Sequence, residues 1–232
     1  MAGKKKLLII DSNSLVHRAF HALPPMSSAK GEMVNAVYGF MLAFLKAIND
    51  FHPDYIAAAF DHHAPTNREK KFKEYKAKRK KAPDELYDQI PKIKEILEAF
   101  HVPIFEKAGF EADDIIGTIA RLAQERQAVP PVETTIISGD MDLLQLVDKQ
   151  TRVHAMRRGI KDSVLFDKKK VTERFGVGPE LVADWKGLRG DPSDNIPGVG
   201  GVGEKTALAL LQGIGSIKDL YANLDKIPAL GF

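Results

Sequence analysis

A chain of 232 residues with 44% hydrophobic content can bury a substantial core, as one large domain or as a main domain with a small appendage. No apolar run approaches the roughly 20 residues of a membrane span, and MAGKKKLLII pairs a basic start with too short an apolar stretch for a signal peptide, so neither a membrane span nor export is expected. The absence of cysteine excludes disulfides and thiolate metal sites and suits a reducing cytoplasm; any metal must be held by oxygen or imidazole. Net charge is only +3, but it is unevenly spread.

In chain order, KLLII (6–10) reads as a first strand and runs into Asp11. His17 and His21 follow, four apart beside Arg18 and without an H-E-x-x-H pattern, which makes them structural or substrate-facing. Pro24-Pro25 marks a loop, a helix is expected over 33–50, and YIAAAF (55–60) forms a second strand that runs into Asp61. His62-His63 reads as a solvated loop pair. Between Arg68 and Lys81 nine Lys or Arg stand against two Glu, with Phe72 and Tyr75 interleaved. Such a run is either a solvated basic segment or a polyanion clamp whose cations displace phosphate counterions and whose aromatics offer surfaces to bases. A helix over 85–100, a strand in VPIFE (102–106), a helix over 111–127, a loop at Pro130-Pro131 and a strand in TTIIS (134–138) come next. From about Phe175 the pattern is helical and punctuated by glycine, with a helix over 180–188 and no clear strand. Near-continuous apolar strands alternating with helices predict an α/β fold, a mainly parallel sheet covered on both faces.

Three groups of acidic residues carry the chemistry. The strands end in Asp11, in Asp61 and in Gly139-Asp140-Met141-Asp142, and in an open parallel sheet the carboxyl ends of strands form the ligand crevice. Glu111, Asp113 and Asp114 open the helix after VPIFE, where the alternative is dipole complementation and capping. Asp191 and Asp194 lie in GDPSDN, which alone reads as a polar turn. Nine carboxylates converging on one crevice repel one another unless divalent cations are present, and an all-oxygen donor set suits Mg²⁺ or Mn²⁺. Two such ions about 4 Å apart can clamp a phosphodiester for hydrolysis.

IPGVGGVGEKTALALL (196–211) satisfies G-x-G-x-x-G at Gly198, Gly200 and Gly203, but no strand leads into it, and Glu204 stands where a Walker lysine belongs. A glycine hairpin followed by a helix beginning near Gly203 admits a phosphate to free N–H groups, with Lys205 nearby; the other reading is a helical corner that needs glycine for packing alone.

Taken in order, LLIIDSNSLVHRAFHAL, AVYGF, FD with a following R and YKAKR, FEADDIIGTIA, ISGDMDLLQLV and GDPSDNIPGVGGVGEKTA resemble the bacterial 5′-nuclease (flap endonuclease-like) family, closest to the amino-terminal 5′→3′ exonuclease domain of members fused to a DNA polymerase. The resemblance spans essentially the whole chain. It implies a PIN-like α/β nuclease domain over 1–174 with a basic helical arch at 62–85, and a helix-hairpin-helix DNA-binding region over 175–232, shortened at its carboxyl end. It implies metal ligands or near ligands at Asp11, Asp61, Glu111, Asp113, Asp114, Asp140, Asp142, Asp191 and Asp194, binding two or more Mg²⁺ that Mn²⁺ can replace. Lys76 and Arg79 would reach the scissile phosphate. Arg18, Arg68, Lys70, Lys71, Lys73, Tyr75 and Lys80, with Gly198, Gly200, Gly203 and Lys205, would contact DNA, and the carbonyls of Val199 and Val202 would hold K⁺. The implied activity is a structure-specific 5′→3′ exonuclease and 5′-flap endonuclease, acting on flap, nicked or junction DNA and on RNA primers in RNA–DNA hybrids during replication and repair. The implied setting is the bacterial cytoplasm at the nucleoid, as a monomer, with a linked polymerase left open. A non-catalytic branched-DNA-binding module is the alternative; gaps in the acidic set would mark it, and the set has none. Asn67 departs from the aromatic residue usual before Arg68.

Overall fold

The computed structural model describes residues 4–125, 132–158 and 162–227; the loop expected at Pro130-Pro131 lies outside them. The chain divides into two compact units, Met1–Thr66 with Lys81–Phe166, and Asn67–Lys80 with Asp167–Phe232.

The first unit runs β1 (Lys5–Asp11), α1 (Ser12–Ala22), α2 (Asn35–Phe51) and β2 (Tyr55–Ala59). After α3 (Asn67–Lys71), which belongs to the second unit, it continues through α4 (Asp84–Tyr87), α5 (Ile90–Ala99), β3 (Ile104–Phe105) and α6 (Ala112–Glu125). It closes with β4 (Val132–Ser138), β5 (Thr151–Arg158) and β6 (Asp162–Phe166). The sheet order is β3-β2-β1-β4-β5-β6, parallel throughout except for the antiparallel β5–β6 pair. Successive side chains of a strand face opposite ways. Leu8 and Ile10 of β1 therefore enter a core with Phe40 and Phe44 of α2 and Ile93 and Leu97 of α5, while Ile9, also buried, faces the side that α6 covers. Helices on both faces explain why β1 is apolar without interruption from Leu7 to Ile10. The chain leaves β1 toward β2 on one side and returns to β4 on the other, so the strand order reverses between β1 and β4.

The helix expected over 85–100 is two helices. Gln89 between them is buried: its Oε1 accepts from the N–H groups of Ala36 and Val37 at 2.8 and 3.2 Å, and its Nε2 donates to Asn35 Oδ1 at 3.1 Å. The side chain thus satisfies the open amino end of α2. VPIFE contributes only the two-residue edge strand β3. β5 and β6 are not expected from the sequence, because TRVHAMRR carries five polar or charged residues among eight and DSVLF only a three-residue apolar run.

The second unit holds α3 with α7 (Lys168–Phe175), α8 (Val182–Arg189), α9 (Glu204–Ile214) and α10 (Ile217–Ala222), around Val177, Trp185, Leu188, Leu210, Leu211 and Leu220. Asp167 caps α7 by accepting from Lys170 N–H at 2.9 Å, and Ser216 with Asp219 forms a capping box on α10. The basic segment departs from the expected helical arch. Only α3 is helix; turns follow, closed by Tyr75 N–H to Phe72 O (3.0 Å), Ala77 N–H to Glu74 O (3.1 Å) and Arg79 N–H to Lys76 O (2.9 Å). Cations at helical spacing repel one another, and Lys76 has φ 57°, which interrupts a right-handed helix.

Between α8 and α9 the glycines divide by role. A Cβ on Gly198 would lie 2.4 Å from the backbone carbon of Arg189 and 2.5 Å from Gly190 N, whereas one on Gly200 or Gly203 would meet nothing within 4 Å. Gly198 is thus a packing glycine, and the other two leave the loop surface open. Gly198→Ala is expected to cost about 2–3 kcal/mol of stability and Gly200→Ala less than about 0.5 kcal/mol. Urea unfolding followed through Trp185, the single tryptophan, measures both; equal losses would refute this division.

Candidate metal centre and nucleic-acid interface

Asp11 ends β1 and caps α1 without an intervening residue: its Oδ1 accepts from Ser14 N–H at 3.2 Å and its Oδ2 from the Ser138 hydroxyl at 2.5 Å. The second bond crosses from β1 to β4 at the reversal of strand order, where Ile10 pairs with Ile137. Ser138 Oγ also accepts from Asp140 N–H at 2.8 Å, and Asp140 Oδ1 accepts from Asp142 N–H at 2.8 Å. Ser14 Oγ accepts from Gly139 N–H at 2.8 Å, and Arg18 Nη2 donates to Gly139 O at 3.3 Å. A Cβ on Gly139 would fall 2.6 Å from Arg18 Nε, so glycine is required for Arg18 to lie against this turn.

Asp61, just beyond β2, accepts from Ala112 N–H at 2.7 Å and thereby ties β2 to the first turn of α6; Asn13 Oδ1 accepts from Asp61 N–H at 3.1 Å. Asp114 Oδ2 reaches back to Glu111 N–H at 3.1 Å, and Asp113 and Asp114 occupy the first turn of α6. Asp114 thus caps the first turn of α6, as the structural reading of this cluster expects. The first unit therefore joins Asp11, Asp61, Asp140 and Asp142 to the α6 cluster through shared backbone and side-chain bonds. Burial pushes the Asp11 carboxyl up, the bonds from Ser138 and Ser14 draw it down, and the charges of Asp140 and Asp61 push it up again, leaving it at about 7. A buried carboxylate held among others in this way fits a divalent cation, which would replace the missing positive charge.

In the second unit Asp191 and Asp194 share one turn, with Asp194 N–H donating to Asp191 O at 3.2 Å. Both are paired with side-chain cations: Asp191 with Lys186 at 2.6 Å and Asp194 with Arg79 at 3.1 Å. Burial pushes Asp191 up, but Lys186 and Ser193 outweigh it and hold the carboxyl at about 2. Arg68, Lys70, Lys71, Lys73 and Lys80 are exposed along the basic segment, as is Lys205 in the first turn of α9. Tyr75 differs from the base-facing surface expected of it. Its ring is buried, and its hydroxyl donates to Asp194 Oδ2 at 3.1 Å. Gly203 is the N-cap of α9 with no side-chain cap, and Val199 O accepts from Val202 N–H at 2.9 Å. His17 and His21 lie along α1 with ring centroids 6.4 Å apart, and His62 and His63 stack at 4.2 Å.

Sequence reasoning missed Ser138, Ser14, Asn13, Lys186 and Ser193. The polar run Asp11-Ser12-Asn13-Ser14 directly after a buried strand was the available signal, because such residues bond to neighbouring backbone.

The family model of the 5′-3′ exonuclease N-terminal resolvase-like domain matches residues 6–176, and that of the 5′-3′ exonuclease C-terminal SAM fold matches 177–231. The chain belongs to the 5′-3′ exonuclease family. A 5′-3′ exonuclease of Aquifex aeolicus is 42% identical over 222 residues, covering 96% of this chain and 74% of that protein. DNA polymerase I of Bacillus subtilis is 45% identical over 227 residues, covering 98% of the chain, which spans 25% of the polymerase's length. The fold matches that of a bacteriophage T5 D15 flap endonuclease, solved as a pseudo-enzyme-product complex with DNA and metal ions, at TM-score 0.78 and 18% identity, over 95% of this chain and 79% of that one.

In this 5′-3′ exonuclease chain the folded Asp11 keeps its proton to about pH 7, whereas the unfolded chain loses it near 3.8. The fold then binds the extra proton, so metal-free stability falls as pH rises through that window. In EDTA the fall is expected to be on the order of 2–4 kcal/mol, and Asp11→Asn should remove most of it. Urea unfolding across the pH range reads the difference, and identical profiles would contradict it.

Proposed function

We propose that the chain is a metal-dependent, structure-specific nuclease that hydrolyses phosphodiesters at 5′ ends, as a 5′→3′ exonuclease and 5′-flap endonuclease on flap, nicked or junction DNA. The observation that carries this reading is the bonded set of carboxylates at the strand-order reversal, around a buried Asp11 with its carboxyl at about 7. Asp11, Asp61, Asp140 and Asp142 with Glu111, Asp113 and Asp114 would hold one group of Mg²⁺ or Mn²⁺ ions, and Asp191 with Asp194 would bind a cation within the second unit. Bound there, the ions supply Lewis-acid polarisation of the phosphate and an activated water. The protein's own residues do the rest. Ser138 and Ser14 fix the direction of Asp11 and of the Asp140 turn, and Asp61 and Asp114 hold the mouth of α6. Arg18 supports the turn at Gly139, from which it can reach a phosphate oxygen. Lys76 and Arg79 stabilise charge at the scissile phosphate.

Arg68, Lys70, Lys71, Lys73 and Lys80 neutralise the single strand, with Tyr75 contributing through the placement of its neighbours. The open loop of Gly200 and Gly203 and the uncapped start of α9, with Lys205, grip duplex backbone, and Gly198 packs that loop in place. The carbonyls of Val199 and Val202 are the candidate K⁺ ligands. RNA primers in RNA–DNA hybrids are included among substrates, and the setting is the bacterial nucleoid, with a linked polymerase left open. The domain assignment 1–174 and 175–232 belongs to the same reading; among the described residues no helix is long and apolar enough to cross a membrane.

Asp140→Asn and Asp114→Asn are expected to slow flap cleavage at least about a hundredfold while DNA affinity stays within about threefold, because phosphate contacts remain. Parallel single-turnover and binding assays on a 5′-labelled flap in Mg²⁺, Mn²⁺ and EDTA check this; undiminished cleavage in both variants would sink the metal assignment. Lys76→Ala is expected to lower the single-turnover rate about tenfold or more with a smaller loss of affinity. Equal losses would make Lys76 a general phosphate contact.

A further inference from the structure

Asp194 has both carboxylate oxygens engaged. Oδ2 accepts from the Tyr75 hydroxyl at 3.1 Å and Oδ1 from Arg79 Nη2 at 3.1 Å. The backbone joins in: Lys76 N–H donates to Asp194 O at 2.9 Å, and Asn195 Nδ2 donates to Glu74 O at 2.8 Å. These four bonds lie within the second unit and fasten the turns of the basic segment to the Asp191–Ile196 turn. The partners differ in freedom. The Asp194 side chain is 13% exposed and Tyr75 is buried, whereas the Arg79 side chain is 56% exposed. The neighbouring pair is unlike it, since Lys186 is only 20% exposed and sits on α8 as part of the scaffold.

A phenol and a metal ion can share a carboxylate, because the phenol is neutral and needs one lone pair. A guanidinium and a divalent ion cannot share it cheaply, because both seek the same negative charge and repel each other. We propose that Arg79 and a divalent cation are alternative occupants of Asp194. Metal loading releases the guanidinium from the turn and frees it for a phosphate, while Tyr75 keeps the carboxylate oriented as a positioning residue. The inference rests on the reading of Asp194 as a cation ligand. Arg79 then serves as the resting counter-ion of the carboxylate before it serves the substrate, and the basic segment is set by the metal content of the turn.

The test is Mn²⁺ binding to the whole chain, read from the paramagnetic signal of free Mn²⁺, for wild type, Arg79→Gln, Lys78→Gln and Asp194→Asn. Asp194→Asn is expected to remove one component of the isotherm. Arg79→Gln is expected to tighten that component about fivefold, the size expected for loss of one partly exposed ion pair. Lys78→Gln deletes the same charge from an exposed side chain of the same segment and is expected to change it less than about twofold. Equal tightening in the two single-charge variants would reduce the effect to general electrostatics and overturn the proposal. An unchanged or weakened component in Arg79→Gln, with Asp194→Asn still removing it, would overturn the competition and leave the ligand reading intact. An isotherm indifferent to Asp194→Asn would remove the ligand reading, and the proposal with it.

Discussion

Asp11 carries the constraint on which the rest of the first unit depends. One carboxylate ends the central strand, starts the first helix and receives the Ser138 hydroxyl across the β1–β4 boundary. Its burial is costly for a charge, and Asp61 and Asp140 raise that cost. The fold therefore keeps a carboxyl near neutrality at the point where a parallel sheet presents its ligand crevice. A structure shaped only for stability would place an asparagine or a serine there.

The surrounding bonds explain how acidic residues far apart in sequence are held without a dedicated scaffold. Three of the acidic side chains also serve as local ties: Asp61 on the mouth of α6, Asp114 on Glu111, Asp140 on Asp142. Backbone N–H groups supply partial positive charge to the cluster. Asp61, Asp114 and Asp140 thus serve the fold through contacts that do not exclude the proposed metal binding.

The second unit solves the same electrostatic problem differently. Asp191 and Asp194 meet a lysine and an arginine, which keeps a tight turn of acidic residues stable through charge pairing. The pairing also disciplines the basic segment, whose like charges give it little tendency to form a continuous helix. Tyr75 becomes the buried anchor of that segment, while Lys73, Lys78, Arg79 and Lys80 stay exposed.

Much of this was legible in the sequence. Strand-terminal aspartates, the acidic opening of α6 and the family resemblance located the candidate site, and continuous apolar strands announced a sheet covered on both faces. Those features depend on local pattern, which a linear reading captures. The sequence did not reveal β5 and β6, the break at Gln89, the buried ring of Tyr75 or the packing role of Gly198. In each case the deciding partner is distant in sequence: Asn35 and the start of α2 for Gln89, Asp194 for Tyr75. For Gly198 it is the backbone of Arg189 and Gly190, brought against it by a turn. Periodicity states which residues want burial and which carry charge; only tertiary structure decides which charge meets which, because that choice is made by contacts across the fold.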